Sequence, residues 1–277
     1  MAAVAGCTTG TGGGEAPQHA SASGTTSSHP RTTAHGQWWS PQPGQQWQWQ
    51  LSDKVDTSVD VPVYDLDWQT PKSVVDDLHR QGRRVICYVS VGTWEAYRDD
   101  AQGFPEEVRG RALEDWPDER WLDIRQRAVL APVLLKRLDT CRDNGFDAVE
   151  PDNVDAFAND SGFPLTAQDQ LDFNRWIADE AHARGLGVGL KNDLAQVPQL
   201  VEHFDFAVNE ECAQYDECAE LKPFVSAGKA VLHAEYEMTA DSFCAQSGPP
   251  GFSSILKRYD LDSWRVTCRN GSPVGRD

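Results

Sequence analysis

No run of 18 apolar residues occurs in this chain, so no segment of it reads as a membrane-spanning helix. Positive charge is scarce: 25 Lys and Arg stand against 43 Asp and Glu, a formal net charge of -18. That deficit argues against a nucleic acid or an anionic membrane surface as partner, and it would draw in a cationic substrate. The seven cysteines come without a CxxC pair or clustered histidines, which weighs against a zinc site and for disulfides. Neither GxGxxG nor a P-loop follows any strand-like segment, which weighs against a nucleotide-binding doubly wound sheet. No cofactor is expected.

Residues 1–37 have almost no large apolar side chains and are rich in Gly, Ser, Thr, Ala, Pro and His; they are expected to be a disordered tether. Within them Val4-Ala5-Gly6-Cys7 resembles a bacterial lipobox, although only six residues precede Cys7, too few for a basic and an apolar leader region. A lipid anchor at Cys7 and a chance match both stay open. Setting Cys7 aside leaves six cysteines. Cys212 with Cys218 and Cys244 with Cys268 each close a local loop, and Cys87 with Cys141 remains by elimination. These features place the protein outside the cytoplasm, secreted or anchored at the cell surface, and a monomer is expected.

From residue 38 to 277 the chain is long enough for one large domain, and strand-like and helix-like segments alternate. Strands are expected at Trp47 to Leu51, Val61 to Leu66, Arg84 to Val91, Phe146 to Val149, Gly187 to Leu190, Phe204 to Val208, Ala230 to His233 and near Phe252 to Leu256, with a last segment at Ser263 to Cys268. Helices are expected at Pro71 to Arg80, Val129 to Arg142, Ala167 to Ala183, Leu194 to His203 and Cys218 to Ala227. A polar excursion, Tyr97 to Arg120, punctuated by Pro105 and Pro117, is of the kind that shapes a binding face. About eight strands separated by helices predict an α/β fold, a single (β/α)8 TIM barrel.

In such a barrel every strand delivers its last residues to one face. Candidates there are Tyr64, Asp65 and Asp67 from the second strand; Tyr88 from the third; Glu150, Asp152, Asn153 and Asp155 from the fourth; Lys191 and Asn192 from the fifth; Glu210 and Glu211 from the sixth; Glu235 and Tyr236 from the seventh. Two converging carboxyl groups are the minimal equipment for cleaving a glycosidic bond.

The FDAVEPDNVD stretch from Phe146, GLKND from Gly189, FDFAVNEEC from Phe204 and GKAVLHAEYE from Gly228 together resemble glycoside-hydrolase family 114, the endo-α-1,4-polygalactosaminidases and related proteins. The resemblance spans about Trp38 to Cys268. It implies a barrel, hydrolysis of α-1,4-linked galactosamine polymers, and catalytic carboxylates on the fourth and sixth strands, matching Asp152 and Glu210. Glu211 remains open as the alternative, although adjacent strand residues point to opposite sides, so the two cannot both face the cleft if the strand continues that far. By analogy with retaining barrel glycosidases, Asp152 would be the nucleophile and Glu210 the general acid/base.

The expected substrate-binding set is Tyr64, Asp65, Asp67, Tyr88, Asn153, Lys191, Asn192, Glu235 and Tyr236. Lys191 would lower the pKa of whichever carboxylate it approaches, and Asn153 and Asn192 would bind sugar hydroxyls. Tyr64, Trp68, Tyr88, Trp94 and Tyr236 would stack on sugar rings. Asp65, Asp67, Glu235 and Glu237 would pair with the ammonium groups of a deacetylated polymer. Two other readings stand beside the glycosidase: a non-catalytic surface protein holding a cationic polysaccharide, and a metal-dependent hydrolase such as a carbohydrate esterase. Released reducing ends and insensitivity to chelator separate the three.

Overall fold

The structure, a computed structural model, describes residues 38–246, 251–269 and 272–274. The expected tether and the Cys7 motif lie outside the described residues. Eight parallel strands form one sheet whose neighbours follow chain order: β1 (Trp47–Gln50), β2 (Val63–Asp67), β3 (Arg84–Ser90), β4 (Ala148–Asp152), β5 (Gly187–Lys191), β6 (Phe206–Glu210), β7 (Val231–Glu235) and β8 (Phe252–Leu256). At the seam the Trp47 indole N–H donates to the Ser253 carbonyl at 2.7 Å, joining β1 to β8. Just beyond, the Leu51 N–H donates to the Leu261 carbonyl at 2.9 Å. The sheet is thereby a nearly closed TIM barrel.

Both faces of these strands are covered, which is why they read as apolar runs rather than as clean alternation. Trp47, Val63, Ile86, Ala148, Phe206 and Leu232 fill the barrel, while Leu66, Val85, Val89, Val149, Leu190 and Val231 face outward into the layer shared with the helices. The helices are α1 (Lys72–Arg80), α2 (Arg127–Asn144), α3 (Ala167–Ala183), α4 (Val197–Leu200), α5 (Lys222–Ser226) and α6 (Ala240–Gln246). The Thr166 hydroxyl accepts the Asp169 N–H and the Asp169 carboxylate accepts the Thr166 N–H, a reciprocal cap that fixes the start of α3. Gly145, at φ 90°, ends α2.

Several elements differ from expectation. The expected helices over Leu194 to His203 and Cys218 to Ala227 are each a 3-10 turn followed by one short helix, α4 and α5, with Pro198 and Pro223 in the first turn. Ser263 to Cys268 adds no barrel strand; Thr267–Arg269 instead pairs antiparallel with Ser272–Val274. The fourth and sixth strands run further than their apolar cores, carrying Glu150 and Asn209 inside the ladder and ending at Asp152 and Glu210. All three expected disulfides are present: Cys87–Cys141, Cys212–Cys218 and Cys244–Cys268.

The polar excursion after β3 is folded. Thr93–Glu95, Glu119–Leu122 and Arg109–Ala112 form a three-stranded antiparallel sheet with Glu119–Leu122 in the middle. Ion pairs anchor it: Arg137 of α2 reaches Glu95 at 2.8 Å and Asp100 at 2.7 Å, and Arg98 reaches Glu95 at 2.8 Å and Asp67 at 2.6 Å. Gly92 is the pivot of this attachment. Its N–H lies 3.2 Å from the Asp152 carbonyl, its own carbonyl accepts the Leu122 N–H at 2.9 Å, and a Cβ there would overlap the Asn153 carbonyl oxygen. Gly92→Ala therefore has no room without moving Asn153. A loss of ~1–3 kcal/mol is expected in denaturant unfolding, the range for overpacking a filled site, together with reduced activity.

Candidate active site

Three neighbouring strands end in charged residues that meet above the barrel core. The ammonium of Lys191, last residue of β5, lies 3.0 Å from Asp152 Oδ1 at the end of β4, 3.2 Å from Glu210 Oε2 at the end of β6, and 3.2 Å from Glu150 Oε1 one layer down on β4. Each of these strands then turns at once into the left-handed region: Asn153 at φ 60°, Asn192 at φ 47° and Glu211 at φ 60°. Asparagine tolerates that conformation better than most residues, whereas glutamate pays for it with local strain.

Hydrogen bonds fix both carboxylates. The Tyr88 hydroxyl donates to Asp152 Oδ2 at 2.7 Å. Glu210 accepts from the Tyr236 hydroxyl at 2.5 Å and from Asn192 Nδ2 at 3.2 Å. Asn192 Oδ1 in turn accepts the Glu210 N–H at 3.0 Å, so one side chain orients both ends of that residue. Asn153 Oδ1 accepts from the Ser90 hydroxyl at 2.9 Å, which ties the turn after β4 to β3.

Burial alone would push the Asp152 carboxyl up, but the Lys191 charge and the Tyr88 hydrogen bond outweigh it and hold it below the ordinary value. Burial would likewise lower the Lys191 pKa, and the surrounding Asp152, Glu210 and Glu150 raise it well above the lysine value instead. Asp155 is pushed up to about 6 by burial and by Asp152. Lysine and aspartate thus each hold the other in its charged form.

These groups open onto a cleft of about 1260 Å³, above the usual ligand-pocket range of roughly 300–1,000 Å³. Asp67, Tyr88, Asn153, Lys191, Asn192 and Tyr236 all line it, as do Asp152 and Glu210. Asp67 presents a wall already neutralised, because Arg98 grips its carboxylate through two N–H donors at 3.0 and 2.6 Å.

Other expected binding residues are not in the cleft. Tyr64 is fully buried on the outward side of β2, with its hydroxyl between the Val59 and Asp56 carbonyls at 2.7 and 3.0 Å. Asp65 is fully buried inside the barrel beneath the cleft floor. Glu235 also faces outward, accepting the Ala213 N–H at 2.8 Å and lying 2.7 Å from His233 Nε2. Glu237 does not line the cleft either. Trp68 packs under Arg98 and Arg137, and Trp94 under Arg109, so neither ring is free for a sugar. His233, Cys212 and Cys218 come together on the outer face, but the two sulfurs are bonded to each other.

Glycoside-hydrolase family GH114 matches residues 28–273 of the sequence. The chain belongs to glycoside-hydrolase family GH114. Among solved structures it is similar to Aspergillus fumigatus Ega3 in complex with galactosamine, at 40% identity and a TM-score of 0.79, covering 83% of this chain and 97% of that one. It shares its fold with the glycoside hydrolase domain of PelA from Pseudomonas aeruginosa, at 15% identity and a TM-score of 0.64, covering 80% of this chain and 98% of that one. Among curated proteins, none matches significantly.

Membership of GH114 makes this chain a glycosidase, and its site contains residues that strand-end reasoning did not reach. Tyr259 follows β8, stacks on Tyr236 with ring centroids 4.5 Å apart, and donates to Glu211 Oε1 at 3.0 Å. Trp116 stands on the excursion, 55% exposed at the cleft wall. An exposed Trp in a polar loop was the one available signal for it.

Lys191 supplies the next test. Asp152 is held down by Lys191 against burial, so with Asp152 in the nucleophile role that the family resemblance implies, the acid limb of kcat/KM is expected below about pH 4, the ordinary Asp value. In Lys191→Met, burial acts unopposed and the acid limb moves up by roughly 1–3 units. A pH series of initial rates on both proteins reads the shift.

Proposed function

We propose that this GH114 glycosidase cuts α-1,4-linked galactosamine polymer within the chain and with retention, using Asp152 as nucleophile and Glu210 as general acid/base. The observation that carries this reading is the shared ammonium. With Lys191 Nζ 3.0 Å from one carboxylate and 3.2 Å from the other, the two oxygens lie no more than 6.2 Å apart, 3.0 Å plus 3.2 Å. The bound holds for the two facing oxygens, and it favours the close spacing of retaining enzymes over the wide end of the roughly 6.5–9.5 Å range between carboxyl groups that leaves room for a water in inverting ones.

The side chains suit the two roles. Asp152, kept ionised by Lys191 and Tyr88, attacks the anomeric carbon as the glycosidic C–O bond breaks. Glu210 gives its proton to the leaving oxygen, then takes one from the water that hydrolyses the Asp152 ester. Negative charge leaves Asp152 as it arrives on Glu210, and Lys191 touches both, so its surroundings keep a constant charge through the step. Glu211 is set aside because its left-handed backbone turns the side chain onto Tyr259.

Substrate class rests on chemistry and likeness together. The cleft is lined by Asp115, Asp155 and Glu211 besides the reacting pair, the chain carries a formal charge of -18, and the 40% identical Ega3 was solved with galactosamine. Ammonium groups of a deacetylated polymer fit such a wall. Tyr259 and Trp116, both exposed on the same cleft, provide stacking faces for sugars on either side of the cut.

Three disulfides support export to an oxidising compartment, and among the described residues no helix is long and apolar enough to cross a membrane. Val4-Ala5-Gly6-Cys7 supports anchoring through Cys7. The reacting groups all come from one chain, in keeping with a monomer.

Digestion of a galactosamine oligomer series with anomeric detection by NMR tests the reading. Retained anomeric configuration and internal cuts are expected; first-formed inverted product would refute retention, and the absence of new reducing ends would refute the glycosidase assignment to this substrate. Asp152→Asn and Glu210→Gln should each lower kcat by about 10²–10⁴-fold or more while polymer binding persists. Trp116→Ala should raise KM for long oligomers while the shortest cleavable oligomer is processed nearly as before.

A further inference from the structure

Beneath the reacting pair lie two acids that the mechanism above does not use. Glu150 and Asp65 are both fully buried inside the barrel. Trp49 of β1 is in register with Asp65, and Tyr88 of β3 with Glu150, so the two carboxyls occupy adjacent layers under the cleft floor. Side-chain exposure rises from 0% at Glu150 to 15% at Asp152 and 27% at Glu210, so Lys191 meets water from the cleft side and not from the Glu150 side.

The two buried carboxyls face one another, and apart from that mutual contact and the Lys191 ion pair no donor among the described residues satisfies their four oxygens. The Lys191 ammonium, 3.2 Å from Glu150 Oε1, is the cation beside them. Two bare carboxylates in contact in a dry interior are untenable, and a proton held between them turns repulsion into a hydrogen bond. Burial first, and then the Asp65 charge, raises Glu150 well above its usual range, while burial, opposed by the hydrogen bond with Glu150 and by Lys191, brings Asp65 to about 7.

The groups facing this pair are Lys191 from β5, Asp152 from β4, Tyr88 from β3, Glu210 from β6 and Tyr236 after β7; β1 supplies the uncharged Trp49, whose ring lies 4.9 Å from Lys191 Nζ.

We infer that Asp65 and Glu150 are positioning residues: a carboxyl pair sharing one proton, whose single negative charge holds the Lys191 ammonium from below so that it bridges Asp152 and Glu210. This rests on the proposed roles of those two residues. The pair sets the field in which the reacting carboxylates gain and lose protons without touching substrate itself. Removing its charge leaves Lys191 less compensated, which favours the ionised form of every acid around it and moves both limbs of the kcat/KM profile to lower pH.

Single and double amides separate charge from shape. In Asp65→Asn or Glu150→Gln one carboxylate and one N–H donor replace the shared proton, the pair keeps its charge, and kcat should fall only about threefold with the limbs in place. In the double variant the charge is gone, and the basic limb should move down by about one unit, a tenfold loss of kcat/KM above it with KM little changed. Double-variant limbs that coincide with wild type would overturn the inference, as would a full shift in either single variant.

Infrared spectra of the wild type and single variants at neutral pH give a readout that needs no substrate and no double variant. One carboxylic-acid carbonyl band should vanish in each single variant, and its persistence in both would refute the shared proton. If the wild type fails to cleave galactosamine polymer, the functional reading falls while the infrared result still decides the pair.

Discussion

One buried ammonium organises this site. Lys191 is the sole cation within hydrogen-bonding reach of Asp152, Glu150 and Glu210 among the described residues, and its position decides what each can do. A lysine taken out of water is expensive unless its charge is answered on all sides. Here it is answered by carboxylates from two strands and by the Trp49 ring. The sequence of β5 makes the room: Gly187 and Gly189 precede Lys191 on the same inward face, and a Cβ at Gly189 would overlap the Phe206 ring.

A second charged network holds the cleft wall. Arg137 on α2 and Arg98 in the excursion share Glu95, and the side chains of Arg137 and Glu95 are each only 1% exposed. Removing one partner from such a buried cluster leaves an uncompensated charge, so the wall is far stiffer than its polar sequence suggests. Trp116 stands on the loop, residues 113–118, that joins two strands of this braced sheet.

The barrel was legible because its strands are apolar on both faces and spaced by helices, and the strand-end rule then gathered Asp152, Lys191 and Glu210 from three distant segments. What escaped the sequence has physical causes. Glu235 ends β7 whereas Tyr64 is only the second residue of β2, and strand parity turns both outward; a register one residue off reverses every such assignment. The excursion strands, Arg-Gly-Arg-Ala and Glu-Arg-Trp-Leu, are stabilised by ion pairs and carry little hydrophobic pattern. Tyr259 joins the site only because the chain leaving β8 folds back over Tyr236, a contact with no local sequence signature. The apolar spacing over Leu194 to His203 and Cys218 to Ala227 suggests single helices, but Pro198 and Pro223 stand in the first turn of α4 and α5 and the residues before them form separate 3-10 turns.

The left-handed residues after β4, β5 and β6 act as hinges in the design sense. Each strand's functional side chain is fixed by the ladder before the turn, and everything after the turn is free of that ladder. The first residues beyond Asn153, Asn192 and Glu211, namely Val154, Asp193 and Cys212, are still buried, so room for loops to change length or composition begins outside them. For an engineer this divides the molecule into a fixed cartridge of strand-end groups and an outer rim, and the rim is the place to begin altering the cleft.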